Sequence, residues 1–296
     1  MFKKILLATT PQIDTQTAPK AAFDMVRKYD AELLIYHALP IGKDDWCSFD
    51  DTIPAQKLVE ASAAKIREFY AEDLKTIPNH SIRVITGASH DKLFKLVHTE
   101  GVDLIVMGHH TSASIYPGSM LGSVNTAIRD VCSNAFCPTM VVTHEGSKSA
   151  NIKKIVFATD FSTPSDSALC YTTQLARQLG AHIDVFHVLD TGQRCPNPEF
   201  YMQDMNVFVD KAKAKMQQRY AKPLEGLSHS FECWEGVPYV EILKKARWSE
   251  ADLVVMAQYS SSLEGGTPFI GSTVIQVALS PGCPALIVNY RARTCS

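Results

Sequence analysis

The sequence predicts an α/β protein made of two tandem, doubly wound domains, each with a five-stranded parallel sheet. Three observations predict this class: an internal repeat, apolar strand-like runs alternating with amphipathic helical runs, and strands that are apolar almost throughout. Such strands are typical of parallel sheets that helices cover on both faces. Right-handed crossovers then give an α/β sandwich in each copy.

The repeat extends along the whole chain. The opening "MFKKILLATTPQ" returns as "NIKKIVFATDFS", and "IYHALP" returns as "VFHVLD", each 150 residues later. Further matches, "LGSVNTAI" with "IGSTVIQV" and "CPTMVV" with "CPALIV", follow in the same order. This order indicates gene duplication. We predict two domains, 1–146 and 151–296, joined by the polar stretch "HEGSKSAN" at 144–151.

The first predicted elements are the strand "KILLAT", the helix "TAPKAAFDMVRKYD" and the strand "AELLIYHAL". A long helix around Lys57–Leu74 follows. Its predicted buried face consists of Leu58, Ala61, Ile66, Phe69 and Leu74. Next come the strand "SIRVIT", the helix "DKLFKLVHTE", the strand "VDLIVMG", the helix "SVNTAIRDVC" and the strand "TMVVT". The second copy repeats this series.

Composition excludes several classes of protein. The 296 residues suffice for two domains, and 46% hydrophobic with 20% charged residues is typical of a globular protein. A net charge of -2 argues against a nucleic acid or an anionic membrane as partner. No apolar run approaches the roughly 18–20 residues of a membrane-spanning helix.

The N-terminal apolar run is not predicted to be a signal peptide. Its twin at 152–160 lies in the middle of the chain, so both are better explained as strands. The eight cysteines form no CxxC motif, which favours thiols in a reducing, cytoplasmic setting over a disulfide framework.

In doubly wound sheets, ligands bind beyond the carboxyl ends of the strands, where the strand order reverses. Three segments of each copy should meet there: the end of strand one, the end of strand two (Ala38 or Val188), and the loop after strand four. That loop, at 107–124 and 256–273, is rich in Gly, Ser and Thr and ends in Gly-Ser. Ser123 or Ser272 suits an N-cap there, and the free backbone N–H groups suit an anion, although Gly-Ser also begins many ordinary helices.

With these segments the chain resembles the universal stress protein family, as a tandem member. The resemblance covers essentially all 296 residues and is strongest at 153–190. It implies a Rossmann-like fold. In ATP-binding members, an Asp ends strand one, and glycines in the pattern Gly-x2-Gly-x9-Gly-Ser/Thr follow strand four. It further implies that the Asp holds the ribose or adenine, that the strand-two residue packs on adenine, and that the loop holds the phosphates.

Carried onto this sequence, the resemblance implies two sets of site residues. Those of the first copy are Gly108, His110, Gly122, Ser123 and Val124. Those of the second copy are Ala158, Thr159, Asp160, Val188, Met256, Ala257, Ser260, Gly271, Ser272 and Thr273.

Both copies depart from the family pattern. In the first copy, Thr10 replaces the Asp and Thr111 replaces the second glycine; in the second, Ala257 and Ser260 replace two glycines. Both loops are also one residue longer. Added Cβ atoms would stand where backbone should face phosphate. We therefore expect weakened nucleotide binding, and expect it in the second copy, since Asp160 offers an acceptor that Thr10 does not match.

Other polar residues are given plainer interpretations. His109 and His110 have no Cys or carboxylate at ligand spacing, so no metal is expected. His37 and His187 are predicted to be hydrogen-bonded sheet residues rather than catalytic bases. No catalytic residue is assigned. Helix starts or surface positions are expected for Asp14, Asp166 and Asp184.

The segments 40–55 and 190–205 differ strongly between the copies. Either they are variable surface connections, which is the favoured interpretation, or they close over the ligand. The aromatic residues that would matter in such a lid are Trp46, Phe49, Phe200 and Tyr201.

The apolar last strands need covering. In the family they commonly pair between subunits, which implies an internal pseudo-dimer here, with a further homodimer of the tandem chain. The predicted function is a cytoplasmic stress-response protein that binds ATP or another adenine nucleotide, with Mg²⁺, and acts through conformation or unidentified protein partners. The alternatives are a nucleotide-independent interaction protein with degenerate loops, or a weak ATPase.

Overall fold

The structure is a computed structural model that describes residues 2–9, 16–39, 54–87, 90–108, 122–143, 151–190, 205–258, 270–280 and 282–289. The chain divides into two compact units, Met1–Glu145 and Gly146–Ser296. The proposed lid aromatics and all but the last residue of the proposed linker lie outside the described residues. The pseudo-dimer and the homodimer stay predictions.

The first unit alternates strands with helices in the predicted order. Its strands are β1 (Lys4–Ala8), β2 (Glu32–Leu39), β3 (His80–Thr86), β4 (Leu104–Gly108) and β5 (Thr139–Val142). Its helices are α1 (Thr17–Tyr29), α2 (Ala55–Phe69), α3 (Ala71–Leu74), α4 (His90–Thr99) and α5 (Gly122–Asn134). The strands pair in parallel in the order β3-β2-β1-β4-β5.

The second unit repeats this arrangement. Its strands are β6 (Lys154–Ala158), β7 (His182–Asp190), β8 (His229–Gly236), β9 (Leu253–Ala257) and β10 (Ala285–Val288). Its helices are α6 (Thr163–Leu179), α7 (Met205–Tyr220), α8 (Pro238–Trp248) and α9 (Ser272–Leu279). The order β8-β7-β6-β9-β10 is again parallel, so the predicted α/β class is confirmed.

The order of the strands fixes the position of the candidate site. The chain passes from β6 to β7 on one side and returns to β9 on the other, so the order reverses between β6 and β9. Loops that leave these two strands diverge, and the crevice between them is where such sheets bind ligands.

Helix α6, which leads away from this crevice, is delimited by its own sequence. Ser162 is the N-cap and accepts a hydrogen bond from the backbone N–H of Ser165 at 3.3 Å, and Pro164 occupies the first turn. Gly180 ends the helix at φ 64°, a left-handed conformation that glycine adopts without steric cost. The start of α6 is therefore fixed directly after β6.

The predicted buried face of α2 is partly wrong. Ile66 is buried as expected, but Ala61 is exposed and Phe69 is 41% exposed. Tyr70, at the break between α2 and α3, is 2% exposed and takes the place predicted for Phe69. Burial thus falls one position later than the pattern indicated, which brings the Tyr70 hydroxyl toward the sheet.

The described cysteines are mostly thiols. Free thiols belong to Cys132, Cys137, Cys233 and Cys283. Cys170, on α6, departs from the expectation, because it is disulfide-bonded. Among the described helices, none combines the length and the apolar character that a membrane crossing requires.

Candidate functional site

The carboxyl edge of the second sheet brings the predicted strand-end residues together. Ala158, the last residue of β6, lies in register with Phe186 on β7 and with Met256 on β9. The backbone N–H of Thr159 continues this pairing by donating to the carbonyl of Phe186 at 2.9 Å. Residues 158–160 therefore emerge at the centre of the edge, between β7 and β9.

Asp160 presents a carboxylate at this edge. Its Oδ1 accepts hydrogen bonds from the backbone N–H of Ser162 at 3.0 Å and from the Ser165 hydroxyl at 2.6 Å. Its Oδ2 accepts none from the described residues, and the side chain is exposed. One oxygen is thus used to orient the carboxylate, and the other is available to a ligand that donates hydrogen bonds.

The end of β9 and the start of α9 are held together. The backbone N–H of Gly271 donates to the carbonyl of Gln258 at 3.3 Å, which joins the two ends of the long loop. Ser260 lies outside the described residues. Gly271, not Ser272, is the N-cap, so the N-cap prediction for Ser272 is wrong by one position. Ser272 and Thr273 occupy the first turn of α9.

The N-terminus of α9 suits an anion. No side chain of the described residues caps it, and the first N–H groups of a helix lack acceptors within the helix. Gly271 has φ -64°, and among the described residues a Cβ there would meet a methyl group of Val274, at an ordinary 3.8 Å. Neither the backbone conformation nor the packing of the described residues requires glycine at 271.

The corresponding edge of the first unit is described only in part. Thr10 and His110 lie outside the described residues, and α5 begins at Gly122, so Ser123 and Val124 fall in its first turn. At the end of β4, a Cβ on Gly108 would lie 3.2 Å from the Cβ of Ala18. Close packing against α1 therefore explains Gly108 without a phosphate.

Both units contain the same hydrogen-bonded group beneath the edge, here called the strand-end clamp. It joins a Thr hydroxyl to a Tyr hydroxyl, at 2.8 Å between Thr159 and Tyr220 and at 3.1 Å between Thr9 and Tyr70. It also joins a histidine Nδ1–H to the carbonyl of the same Thr. These distances are 2.8 Å for His187 and 2.9 Å for His37. The clamp fixes the backbone that immediately precedes residue 10 or 160.

The clamp histidines match their predicted structural role. Burial lowers the pKa of His187 and of His37, and the hydrogen bond to the Thr carbonyl opposes this shift only in part. Each ring is therefore neutral near pH 7, with its Nδ1 proton already donated. Burial also raises the pKa of Tyr220 to about 12, so its hydroxyl stays protonated. Both groups orient the backbone rather than exchange protons.

Sequence reasoning missed the clamp tyrosines. The signal was present, because Tyr70 follows Thr9 and Tyr220 follows Thr159 by the same 61 positions. A pattern of buried and exposed positions does not reveal the pairing of Tyr with Thr, because the pairing depends on two hydroxyl groups and not on hydrophobicity.

Phe161 and Lys215 were missed as well. Phe161 adopts a left-handed backbone with φ 65°, a conformation uncommon for a side chain of this size and often found at functional sites. Its ring centroid lies 4.5 Å from that of His187, and the Lys215 Nζ lies 4.2 Å from the ring centroid. An aromatic ring with a cation over its face therefore stands directly beside Asp160.

The described residues of this edge offer hydrogen-bond acceptors, helix N–H groups and one cation. Within the described ranges, no three His, Cys, Asp or Glu side chains gather in a way that could hold a metal. His109 and His110 lie outside those ranges. Acceptors, donors and a cation of this kind are the groups that can hydrogen-bond to a polar ligand.

Asp184 contradicts its prediction as a surface or helix-start carboxylate. It lies on β7 and is 3% exposed. Its Oδ1 accepts hydrogen bonds from the Ser230 hydroxyl at 2.6 Å and from His182 Nε2 at 2.9 Å. The Lys245 Nζ lies 3.0 Å from Oδ2 as an ion pair, without the alignment of a hydrogen bond.

These contacts keep Asp184 charged. Burial alone would raise the pKa of Asp184, but the Ser230 hydrogen bond and the Lys245 ammonium outweigh it, so the pKa lies below its ordinary value. Lys245 is itself 5% exposed and donates its hydrogen bond to Glu232. Asp184 is the third residue of β7, near the amino ends of the strands, so this buried ionic cluster lies away from the carboxyl edge.

The fold and its carboxyl edge define the class: a tandem α/β protein whose second sheet carries a polar edge at the point where the strand order reverses. The sequence pattern of the universal stress protein family matches residues 1–143 and 151–289. The chain belongs to the universal stress protein family, in which it is a tandem member. The predicted family is thereby confirmed.

Solved structures share the fold over the whole chain. One is a universal stress protein from Archaeoglobus fulgidus, 19% identical with a TM-score of 0.68, covering 97% of this chain and 96% of that one. Another is a putative universal stress protein from Pseudomonas aeruginosa, 16% identical with a TM-score of 0.63, covering 97% and 93%. Among curated proteins, none matched the sequence.

Proposed function

We propose that the second half of this stress-response protein binds an adenine nucleotide, ATP or a relative with Mg²⁺, at the carboxyl edge of its sheet. Family membership supports a role in the stress response. The observation that carries the proposal is the oriented carboxylate of Asp160, whose second oxygen is available, at the sheet reversal. The bound nucleotide would act by changing conformation or partner binding, so no catalytic step is required.

The residues present fit such a ligand. The free oxygen of Asp160 would accept a hydrogen bond from a ribose hydroxyl or the adenine amine. Val188, near the end of β7, would offer apolar surface to the base. The N-terminus of α9, with Gly271 as its N-cap, would face phosphate oxygens, which helix N-termini bind well.

The first half is not proposed to bind the nucleotide. Thr10 offers no charged acceptor in place of Asp160. Gly108, one of the two family glycines that this half retains, is explained by its close approach to Ala18. In the second half, Ala257 replaces that glycine, so we expect binding weaker than in members with all glycines.

The test is isothermal titration of the full chain with ATP and Mg²⁺, comparing Asp160→Ala with Thr10→Ala, the matched change in the first half. Loss of a hydrogen bond to a charged group reduces the binding free energy by about 1.5–3 kcal/mol, so Asp160→Ala should weaken ATP binding at least about tenfold. Thr10→Ala should leave affinity unchanged. Equal affinity of wild type and Asp160→Ala, or no binding by wild type, would refute the proposal.

Gly271→Ala probes the phosphate end separately. Its φ of -64° and the 3.8 Å contact predict normal folding, to be checked by thermal unfolding. The added methyl group should weaken ATP binding and leave adenosine binding unchanged. A variant that binds both ligands as wild type does would remove α9 from the site.

A further inference from the structure

Helix α7 presents a row of cations beside the carboxyl edge of the second sheet. Lys211, Lys215 and Arg219 recur every four residues, the spacing that aligns side chains on one face of a helix. Each cation lies over an aromatic ring. The distances to the ring centroids are 5.6 Å from Lys211 to Phe208, 4.2 Å from Lys215 to Phe161 and 5.9 Å from Arg219 to Tyr220. These three residues are here called the cation row.

The members of the row differ in their counter-charges. Arg219 donates two hydrogen bonds to Asp166 on α6, at 2.9 and 2.5 Å, and is neutralised by it. Lys215 is exposed and has no carboxylate partner in the part of the chain that the structure describes. Lys211 likewise has no carboxylate partner among the described residues, but only Lys215 lies over the Phe161 ring, so it is the member that brings an uncompensated positive charge next to Asp160.

Lys215 and Asp160 flank the same ring. Both act electrostatically on His187, where the Asp160 carboxylate raises and the Lys215 ammonium lowers the pKa. Phe161 connects them in the chain and in space, since it follows Asp160 directly and its ring lies against both His187 and Lys215. The ligand that contacts Asp160 therefore meets Lys215 on the α7 side.

The first half does not reproduce this charge. At the positions of Lys211 and Arg219, it has Ala61 and Phe69; only Lys65 corresponds to Lys215. Helix α7 carries four basic residues and one acidic residue, a net charge of +3, whereas α2 carries three and two, a net charge of +1. The stronger positive charge accompanies Asp160, in the half that retains the family acceptor.

We propose that Lys215 is a ligand-binding residue that contacts a phosphate of the bound ligand, so that the second half selects a polyphosphate over the bare nucleoside. This rests on the proposed function and adds an anion contact from α7 to the site. A cation held over an aromatic face has lost part of its hydration and gains most from an anionic oxygen. Such a contact would compensate for the glycines that the loop lacks at Ala257 and Ser260.

The experiment titrates ATP, adenosine and inorganic tripolyphosphate into wild type, Lys215→Ala, Lys215→Arg and the matched control Lys65→Ala. Lys215 is exposed, so folding should be unaffected, as thermal unfolding would verify. Lys215→Ala should lose at least about tenfold in ATP affinity, as expected for a charge-assisted contact, with adenosine affinity unchanged. Lys215→Arg should restore most of the loss, and Lys65→Ala should match wild type.

The outcomes separate this inference from the proposed function. One outcome is that wild type binds tripolyphosphate but no nucleotide, and that Lys215→Ala binds neither. The proposed nucleotide function would then be wrong, while the proposed contact between Lys215 and an anion would be supported. ATP affinity that is unchanged in Lys215→Ala, or reduced to the same extent as adenosine affinity, overturns the inference alone. Binding of none of the three probes overturns both.

Discussion

The two halves keep one group of residues and exchange another. The strand-end clamp recurs with nearly the same distances in both halves, at positions 150 residues apart. Near the other end of the strands, Asp184 faces Val156 in the sheet register, and its counterpart Leu34 faces Leu6. The hydrogen-bonded group at the carboxyl edge is thus the same in both halves, while this interior position is apolar in the first half and ionic in the second.

This difference shows what a buried charge requires. Leu34 is fully buried and needs only packing. Asp184 occupies the same place only because Ser230, His182 and Lys245 supply hydrogen bonds and charge. Lys245, in turn, corresponds in sequence to Leu96. The ionic cluster is therefore a coupled substitution, whose parts should not be separable.

The largest expected effect is a loss of stability when one member of the ionic cluster, Lys245, is replaced and Asp184 is kept. Lys245→Leu would remove the nearest cation from the buried carboxylate of Asp184 and leave it only the Lys154 Nζ, 3.6 Å from Oδ2, among the described cations. We therefore expect a cost of about 3 kcal/mol, the lower end of the range for breaking a buried pair. The free energy of unfolding, measured by urea denaturation, should fall by this amount. A change below about 1 kcal/mol would mean that water reaches Asp184.

The double variant Asp184→Leu/Lys245→Leu restores the residues of the first half at both positions. Replacing a buried ion pair by apolar residues is often close to neutral. We expect the double variant to be more stable than Lys245→Leu alone, by urea denaturation under the same conditions. Additive losses in the two single variants and the double variant would contradict the coupling.

A smaller difference is expected at the clamp. The Thr159 hydroxyl also accepts the backbone N–H of Phe161 at 3.1 Å, whereas residue 11 in the first half is a proline and has no N–H. Tyr70→Phe should therefore lower the free energy of unfolding by about 2 kcal/mol, and Tyr220→Phe by about 1 kcal/mol. The reason is that the Thr159 hydroxyl keeps its hydrogen bond from Phe161, whereas Pro11 has no N–H to donate to the Thr9 hydroxyl. Urea denaturation of both variants measures the difference, and the reverse order would argue against equivalent clamps.

The smallest expected effect concerns the clamp histidines and pH. The pKa values of His37 and His187 are lower in the folded protein than in the unfolded chain, so the unfolded chain binds more protons as the pH falls. The stability that the neutral rings contribute above about pH 6.5 is therefore lost at lower pH.

In NMR titrations, Lys215→Ala should raise the pKa of His187 and leave that of His37 unchanged. An equal shift of both histidines would mean that Lys215 does not lie beside His187 in solution.

The architecture could be predicted because two independent patterns in the sequence indicate it, namely the spacing of apolar residues and the internal repeat. Nearly continuous apolar strands indicated parallel sheets, and the repeated order located equivalent strand ends. The same reasoning failed at Asp184. A strand that helices cover on both faces has no side toward the solvent. Asp184, the third residue of "HIDVFHVLD", should therefore have been assigned to the interior.

Details of the candidate site depend on contacts that no periodic pattern encodes. The N-cap of α9 falls on Gly271 and not Ser272, a shift of one residue that backbone geometry decides. Phe161 takes a left-handed conformation that its residue type does not suggest. Lys215 reaches Phe161 across 54 residues of sequence, and only the packing of α7 against the start of α6 brings the two together.

The hydrogen bond between Gly271 and Gln258 separates the ligand loop from the framework that carries it. With both ends joined, the loop-closure cost of a longer intervening chain is small, about 0.6 kcal/mol for each doubling of its length. We therefore expect the framework to accept insertions between these two residues. A grafted glycine-rich segment, spliced at the same two points, offers a route to altered ligand preference on an unchanged scaffold.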